Sequence, residues 1–178
     1  MRKTAARPFD QPEPWLRESL PDVPAVPRAV LHALQLAAED LHTWCDELTN
    51  QELRAHPHGL PSVAFQLRHI AHSMDRLLTY AEARVLSPEQ LADLKTEAET
   101  TATTGEELFA ELDSALDKAR NRVRALAHQD FEQLRTVGKK MLPTTLGGLL
   151  VHVADHTQRH VGQAVTTAKI ILAERNVT

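Results

Sequence analysis

The sequence predicts an all-α protein, built as a four-helix bundle. Apolar residues recur at steps of three and four along four long segments, which is the spacing of one buried helical face. Segments that read as loops separate them, with recognisable helix-start residues at several of the joints. β-Branched residues alternate with polar ones nowhere over a useful length, so we expect no strands.

The 178 residues suit a single domain with one core. Prolines recur throughout residues 1–27, and we interpret this segment as an N-terminal lead. We interpret residues 28–178 as the bundle domain. The first helix is predicted over residues 28–48. Its inward face carries six residues spaced as a bundle seam requires, namely Val30, Leu34, Ala37, Leu41, Trp44 and Leu48.

The second helix is predicted to begin after Ser62, a residue type that commonly caps helix N-termini. A long crossover then leads to the third helix. Within it, Ser87 and Gln90 have the spacing of a capping box, with Pro88 at the first helical position, and predict a short helix. The inward face of the second helix consists of Val63, Leu67, Ile70, Met74, Leu77 and Ala81.

The third helix is predicted over residues 106–127, and the fourth from residues 142–145 to about residue 174. Pro143 and Thr144, in the segment "LPTT", are typical helix-start residues.

Composition excludes several classes of function. The net charge is −4 and aromatic residues make up only 4%, without a basic stripe, so no nucleic-acid partner is expected. No apolar run is long enough for a membrane span, and no apolar core follows the basic N-terminus, so we expect no membrane or signal segment and a cytoplasmic protein. Cys45 is the single cysteine, so any metal must be held by histidines and carboxylates.

Three of the ten histidines lie four residues apart in the fourth helix, at His152, His156 and His160. A helical projection turns His156 and His160 toward the core, one turn apart, so both rings could bind one ion. They could equally be core histidines bonded to neighbours. His152 falls outside the core arc, as a surface residue or one that supports a ligand.

A third ligand would come from the second helix, which carries His69 and His72. These lie on opposite flanks of its apolar face, and helical geometry alone does not choose between them. His56 and His58 are expected in an exposed loop or at a pocket mouth. The remaining histidines read as surface residues, namely His32, His42 and His128.

Two motifs resemble the DinB/YfiT-like superfamily of metalloenzymes: an aromatic residue four before a histidine, Phe65–His69, and "HTQRHVGQ", His156–Gln163. The resemblance spans about residues 28–174. It implies an up-down-down-up bundle, a homodimer, and a divalent metal such as nickel or zinc bound by three histidines. Matched position by position, the ligands would be His69, His156 and His160.

Members of that superfamily transfer low-molecular-weight thiols such as bacillithiol to electrophiles, so the resemblance implies a metal-dependent S-transferase with a small-molecule substrate. A three-histidine metal could instead activate water as hydroxide in a hydrolase. A non-catalytic metal-binding or dimeric stress-related protein is the third alternative. Arg76 could hold an anionic substrate. Gln163 could orient a ligand, or form a hydrogen bond between helices.

Overall fold

The computed structural model describes residues 11–17, 19–97 and 103–175. It is mostly helical, which agrees with the predicted all-α class. In chain order the helices and strands are α1 (Pro14–Arg17), α2 (Ala25–Cys45), α3 (Asn50–Leu53), a 3-10 turn (Pro57–Gly59), α4 (Val63–Ala81), α5 (Pro88–Thr96), α6 (Gly105–Leu126), β1 (Leu134–Val137), β2 (Leu142–Thr145) and α7 (Leu146–Glu174).

Four long helices enclose the core. α2 packs against α6 and α7, and α4 packs against the same two helices. The four helices therefore form a closed ring around the core. α2 and α4, the first two long helices along the chain, therefore lie across the core from each other, while α4 and α7 lie side by side. The largest fully buried side chains are mostly aliphatic and include Leu34, Leu41, Leu67, Ile70, Met74, Leu112, Leu116 and Leu150.

Local start signals fix several helix ends. The Ser62 hydroxyl accepts a hydrogen bond from the Phe65 amide at 3.2 Å, which caps α4 as predicted. The predicted capping box at the start of α5 is also present, with Ser87 and Gln90 each accepting from the other's backbone amide. α2 begins three residues before the predicted Arg28 and ends at Cys45.

The expectation of no strands is wrong. β1 and β2 form an antiparallel hairpin, in which Leu134 pairs with Thr145 and Val137 pairs with Leu142. The segment "LPTT" is strand β2 instead of a helix start, and α7 begins one residue later, at Leu146. Thr145 caps α7 by accepting from the Gly148 amide at 3.1 Å.

The hairpin is anchored to α4 by a buried arginine. Arg135 is only 6% exposed, and its Nε donates to the carbonyl of Ala81, at the end of α4, at 2.6 Å. Most other side chains of the two strands are exposed or half-buried, so the alternation that marks a strand in a sequence is absent. No helix in the described ranges is long and apolar enough to cross a membrane.

Candidate metal centre

His69 on α4 and His156 and His160 on α7 meet where these helices pack against each other. One nitrogen from each ring lies within 4.8 Å of the nitrogens of the other two. The ring centroids are 4.2 Å apart for His69 and His160, 4.5 Å for His156 and His160, and 5.1 Å for His69 and His156. All three side chains are half-buried. This trio could hold a divalent metal ion.

The structure separates the trio from the two neighbouring histidines. His72 points to α6, where its Nε2 lies 2.6 Å from a carboxylate oxygen of Glu111. His152 is exposed, and its Nδ1 lies 3.7 Å from the carboxylate of Asp155. His69, and not His72, therefore belongs to this cluster, a choice that helical geometry alone left open.

His160 is oriented by a buried glutamine. Its Nδ1 donates to Oε1 of Gln66 at 2.7 Å, which leaves its Nε2 lone pair directed away from that bond. Gln66 is completely buried on α4, and its Nε2 donates to Oε1 of Gln163 on α7 at 3.0 Å. With its amide nitrogen engaged by Gln163, Gln66 presents its oxygen to His160.

His69 is oriented by a carboxylate from the crossover. Its Nδ1 forms a hydrogen bond with a carboxylate oxygen of Glu97, the residue that follows α5. Glu97 is 5% exposed, and its other oxygen accepts from Nη2 of Arg76 at 3.1 Å. A carboxylate behind a histidine is a common support for a metal ligand, because it fixes the tautomer and leaves Nε2 free to bind.

Neither Gln66 nor Glu97 was predicted from the sequence as a supporting residue. Gln66 had a local signal, since it is a polar residue on the buried face that Val63 and Ile70 share. Glu97 had no local signal in the sequence. The crossover places it against His69, whereas most of the rest of its own segment is exposed.

The electrostatics of the cluster favour neutral imidazoles. Burial, followed by the proximity of His160 and His69, lowers the pKa of His156 to about 4. Burial also lowers the pKa of His160, with smaller effects of His69 and Arg159. Both rings are therefore uncharged at neutral pH, the form that can donate a lone pair to a metal.

Glu97 is held in its charged form. Burial alone would raise the pKa of Glu97, but the hydrogen bond from His69 and the positive charge of Arg76 outweigh it and lower the pKa. An ionised carboxylate is only an acceptor, so His69 must carry its proton on Nδ1.

These donors fit a metal. With Nδ1 of His69 committed to Glu97, its Nε2 lone pair faces Nε2 of His156 at 3.0 Å. Two nitrogens that bind one ion at about 2.1 Å lie roughly 3.0 Å apart for a right angle at the ion and roughly 3.4 Å apart for a tetrahedral angle, so this separation is near that of a shared ion. Nδ1 of His156 is buried without a hydrogen-bond partner in the described chain, so its proton can reside there while Nε2 binds.

Residues 33–164 match the sequence model of the DinB superfamily, and this range contains the histidine trio, Gln66, Glu97 and Gln163. The chain belongs to the DinB superfamily. The resemblance inferred from the two histidine motifs is thus confirmed. Among curated proteins and among solved structures, no match to the chain was found.

Two further residues were expected near the site of this DinB-superfamily chain. Gln163 forms the hydrogen bond between helices that was one of its two expected roles, and its side chain is exposed at the cluster. Arg76 is 9% exposed and paired with Glu97, while its Nη1 is buried without a hydrogen-bond partner among the described residues.

The other histidines divide between surface and core. His56 and His58 are exposed, which agrees with the first of their two predicted positions, an exposed loop. His128 is also exposed, and His42 lies partly exposed between Asp46 and Asp113. The prediction of His32 as a surface residue is wrong, because its side chain is only 8% exposed. It lines a small pocket together with Trp15 and Ser19 of the lead.

Proposed function

We propose that this DinB-superfamily protein is a metal-dependent S-transferase that conjugates a low-molecular-weight thiol of the bacillithiol type to an electrophile. The proposed ligands of a divalent ion such as nickel or zinc are His69, His156 and His160. The observation that supports this most strongly is the convergence of three imidazoles of which two are backed by buried acceptors, Gln66 and Glu97. Buried acceptors of this kind are typical of metal-ligating histidines.

A divalent ion bound by three neutral histidines would keep open positions and its full positive charge, which favours the thiolate form of a thiol. The residues that support the histidines add no net charge beside the ion. Gln66 is neutral, and the negative charge of Glu97 is offset by Arg76. In the transfer, the thiolate sulfur forms a bond to the electrophilic carbon. The leaving group departs with the electron pair of the bond that breaks, and the thiol proton passes to solvent.

Substrate contacts are proposed for two side chains. Gln163 uses its oxygen to accept from Gln66, so its amide nitrogen can donate to a substrate at the exposed side of the cluster. Arg76 is proposed to contact an anionic substrate through Nη1, a buried atom that has no hydrogen-bond partner among the described residues. We further propose the up-down-down-up path, a homodimer and a cytoplasmic location, all by analogy with the superfamily.

The first test is the metal content of untagged protein, measured by elemental mass spectrometry. We expect near-stoichiometric nickel, zinc or a similar ion in the wild type and its loss in the double variant His156→Ala/His160→Ala. The matched control is His56→Ala/His58→Ala, which removes two exposed histidines and should retain the metal. A wild type that is empty and refuses added metal would overturn the proposal.

The second test is turnover by the loaded protein. Consumption of 1-chloro-2,4-dinitrobenzene, with release of chloride, should require an added small thiol and should be lost in His69→Ala. Ester hydrolysis without any thiol would identify a hydrolase instead. Stoichiometric metal with neither activity across thiols and esters would favour the non-catalytic alternative.

A further inference from the structure

A pocket lies at the C-terminal end of α4, between the β1–β2 hairpin and the loop that leads to α5. We call it the hairpin pocket. Its volume is about 450 Å³. Tyr80, one of its lining residues, follows His69 by eleven positions on the same helix, so it lies about 16 Å farther along the axis. The apolar part of the lining consists of Ala83, Val85, Leu86, Leu91, Leu134 and Met141.

Several of these apolar side chains are unusually exposed. Val85 is 86% exposed, Leu134 78% and Met141 61%, and all three line the same concavity. Single exposed apolar residues are common on proteins, but a cluster around a pocket marks a binding surface. The core is complete without them, since the buried apolar cluster of the bundle includes none of the three.

The charged part of the lining is entirely basic. Arg84, Arg135 and Lys139 line the pocket, and no acidic residue does so within the described ranges. Arg135 is occupied by backbone carbonyls, and Arg84 by Glu82 at 2.9 Å. Lys139 is exposed at the hairpin tip and forms no ion pair with any described residue, so its charge is available to a ligand.

The backbone on two walls is held in an uncommon conformation. Ala83, in the loop after α4, has φ 57°, and Met141, at the end of the hairpin turn, has φ 50°. Left-handed backbone is unfavourable for residues other than glycine, and such conformations concentrate at binding sites, where they shape the surface.

We propose that the hairpin pocket binds a small aliphatic carboxylate, with its chain against Val85, Leu134 and Met141 and its carboxylate at Lys139. Apolar walls beside Lys139, which forms no ion pair with the part of the chain that the structure describes, complement an apolar ligand with one negative group. The volume lies in the range of small-molecule sites. This site is separate from the histidine cluster and does not depend on the proposed S-transferase activity.

The test is a titration of the full-length protein, followed by ¹H–¹⁵N NMR, with sodium octanoate and, separately, with 1-octanol. We expect octanoate to shift the amides of Val85, Leu134 and Met141, with a Kd below about 1 mM. The alcohol, which lacks the charge, should bind about tenfold more weakly, a typical loss for one charge-assisted contact.

Two pairs of matched variants locate the site. Lys139→Glu should weaken octanoate binding at least about tenfold, whereas Lys140→Glu, the same charge change one residue later and outside the lining, should change it less than about twofold. Val85→Asp should also weaken binding, whereas Val151→Asp, at an exposed valine on α7, should not.

Four outcomes would overturn the proposal. The first two are octanol binding as tightly as octanoate, and equal octanoate affinities of the two lysine variants. The third is octanoate leaving the pocket amides unshifted; if phosphatidylglycerol vesicles then sediment with the protein, a lipid surface is the partner. The fourth is a shift of the pocket amides with protein concentration alone, which would identify a second copy of the chain as the partner.

Discussion

At the scale of single residues, the histidine trio depends on side chains that do not belong to it. A hydrogen bond to one nitrogen of an imidazole fixes the tautomer and the ring orientation that present the other nitrogen to a metal. Gln66 holds His160 in this way, and Glu97 holds His69. Both acceptors are buried, so water cannot readily replace them if they are removed.

Replacement of Glu97 should weaken metal binding. Glu97→Gln removes the negative charge that His69 and Arg76 share, and we expect about a tenfold loss of zinc affinity. Glu97→Ala also removes the acceptor, and we expect a loss of about a hundredfold. Competition with a chelating dye measures this. Glu111→Gln is the matched control, because it removes the carboxylate bonded to His72, outside the trio. Equal losses in the two Gln variants would contradict a specific role for Glu97.

Cys45 should be chemically inert in the folded protein. It is fully buried, and burial, assisted by the charge of Asp46, raises the pKa of its thiol to about 12 from 9.0. A raised pKa removes the reactive thiolate at pH 8, so we expect Ellman's reagent to react at least about a hundredfold more slowly with native than with unfolded protein. Rapid reaction of the native protein would show that Cys45 is accessible.

At the scale of helices and strands, local signals in the sequence were sufficient where the physical cause was local. The capping residues of α4 and α5 act within three positions of themselves, and they were predicted correctly. The β1–β2 hairpin was missed because its support is distant. Arg135 reaches the end of α4, and neither strand buries one whole face that could produce a period of two.

The corrected start of α7 can be tested through its cap. Thr145→Ala removes the hydroxyl that accepts from the Gly148 amide, and should lower the free energy of unfolding by about 1 kcal/mol, a typical value for a lost N-cap. Thr144→Ala, one residue earlier and also half-buried, should cost less than about half of that. Urea unfolding measures both. The reverse ranking would indicate that the helix begins earlier, as "LPTT" first suggested.

At the scale of the whole molecule, the site depends on how the helices are arranged around the core. His156 and His160 could be predicted as inward-facing from the helical period alone. His69 could not, because two histidines flank the apolar face of α4, and only its packing against α7 distinguishes them. Glu97 could be predicted as a neighbour of His69 only from the path of the crossover that follows α4. Sequence patterns therefore identify the face that a residue occupies, while tertiary packing decides which faces meet.

Because the trio joins α4 to α7, a bound metal should stabilise the whole fold. An ion that binds the native but not the unfolded chain adds about 2.7 kcal/mol at a free concentration one hundred times its Kd. We therefore expect EDTA to lower the melting temperature of metal-loaded protein, and added zinc or nickel to restore it.

The histidine variants assign this stabilisation to the trio. His156→Ala/His160→Ala should melt at the same temperature with and without EDTA, because it lacks two of the three donors. His56→Ala/His58→Ala should respond as the wild type does, since those exposed rings lie outside the cluster. If EDTA shifts the melting of both double variants equally, the stabilising ion binds elsewhere. If metal binds stoichiometrically to the wild type without raising its melting temperature, the link between α4 and α7 does not contribute to stability.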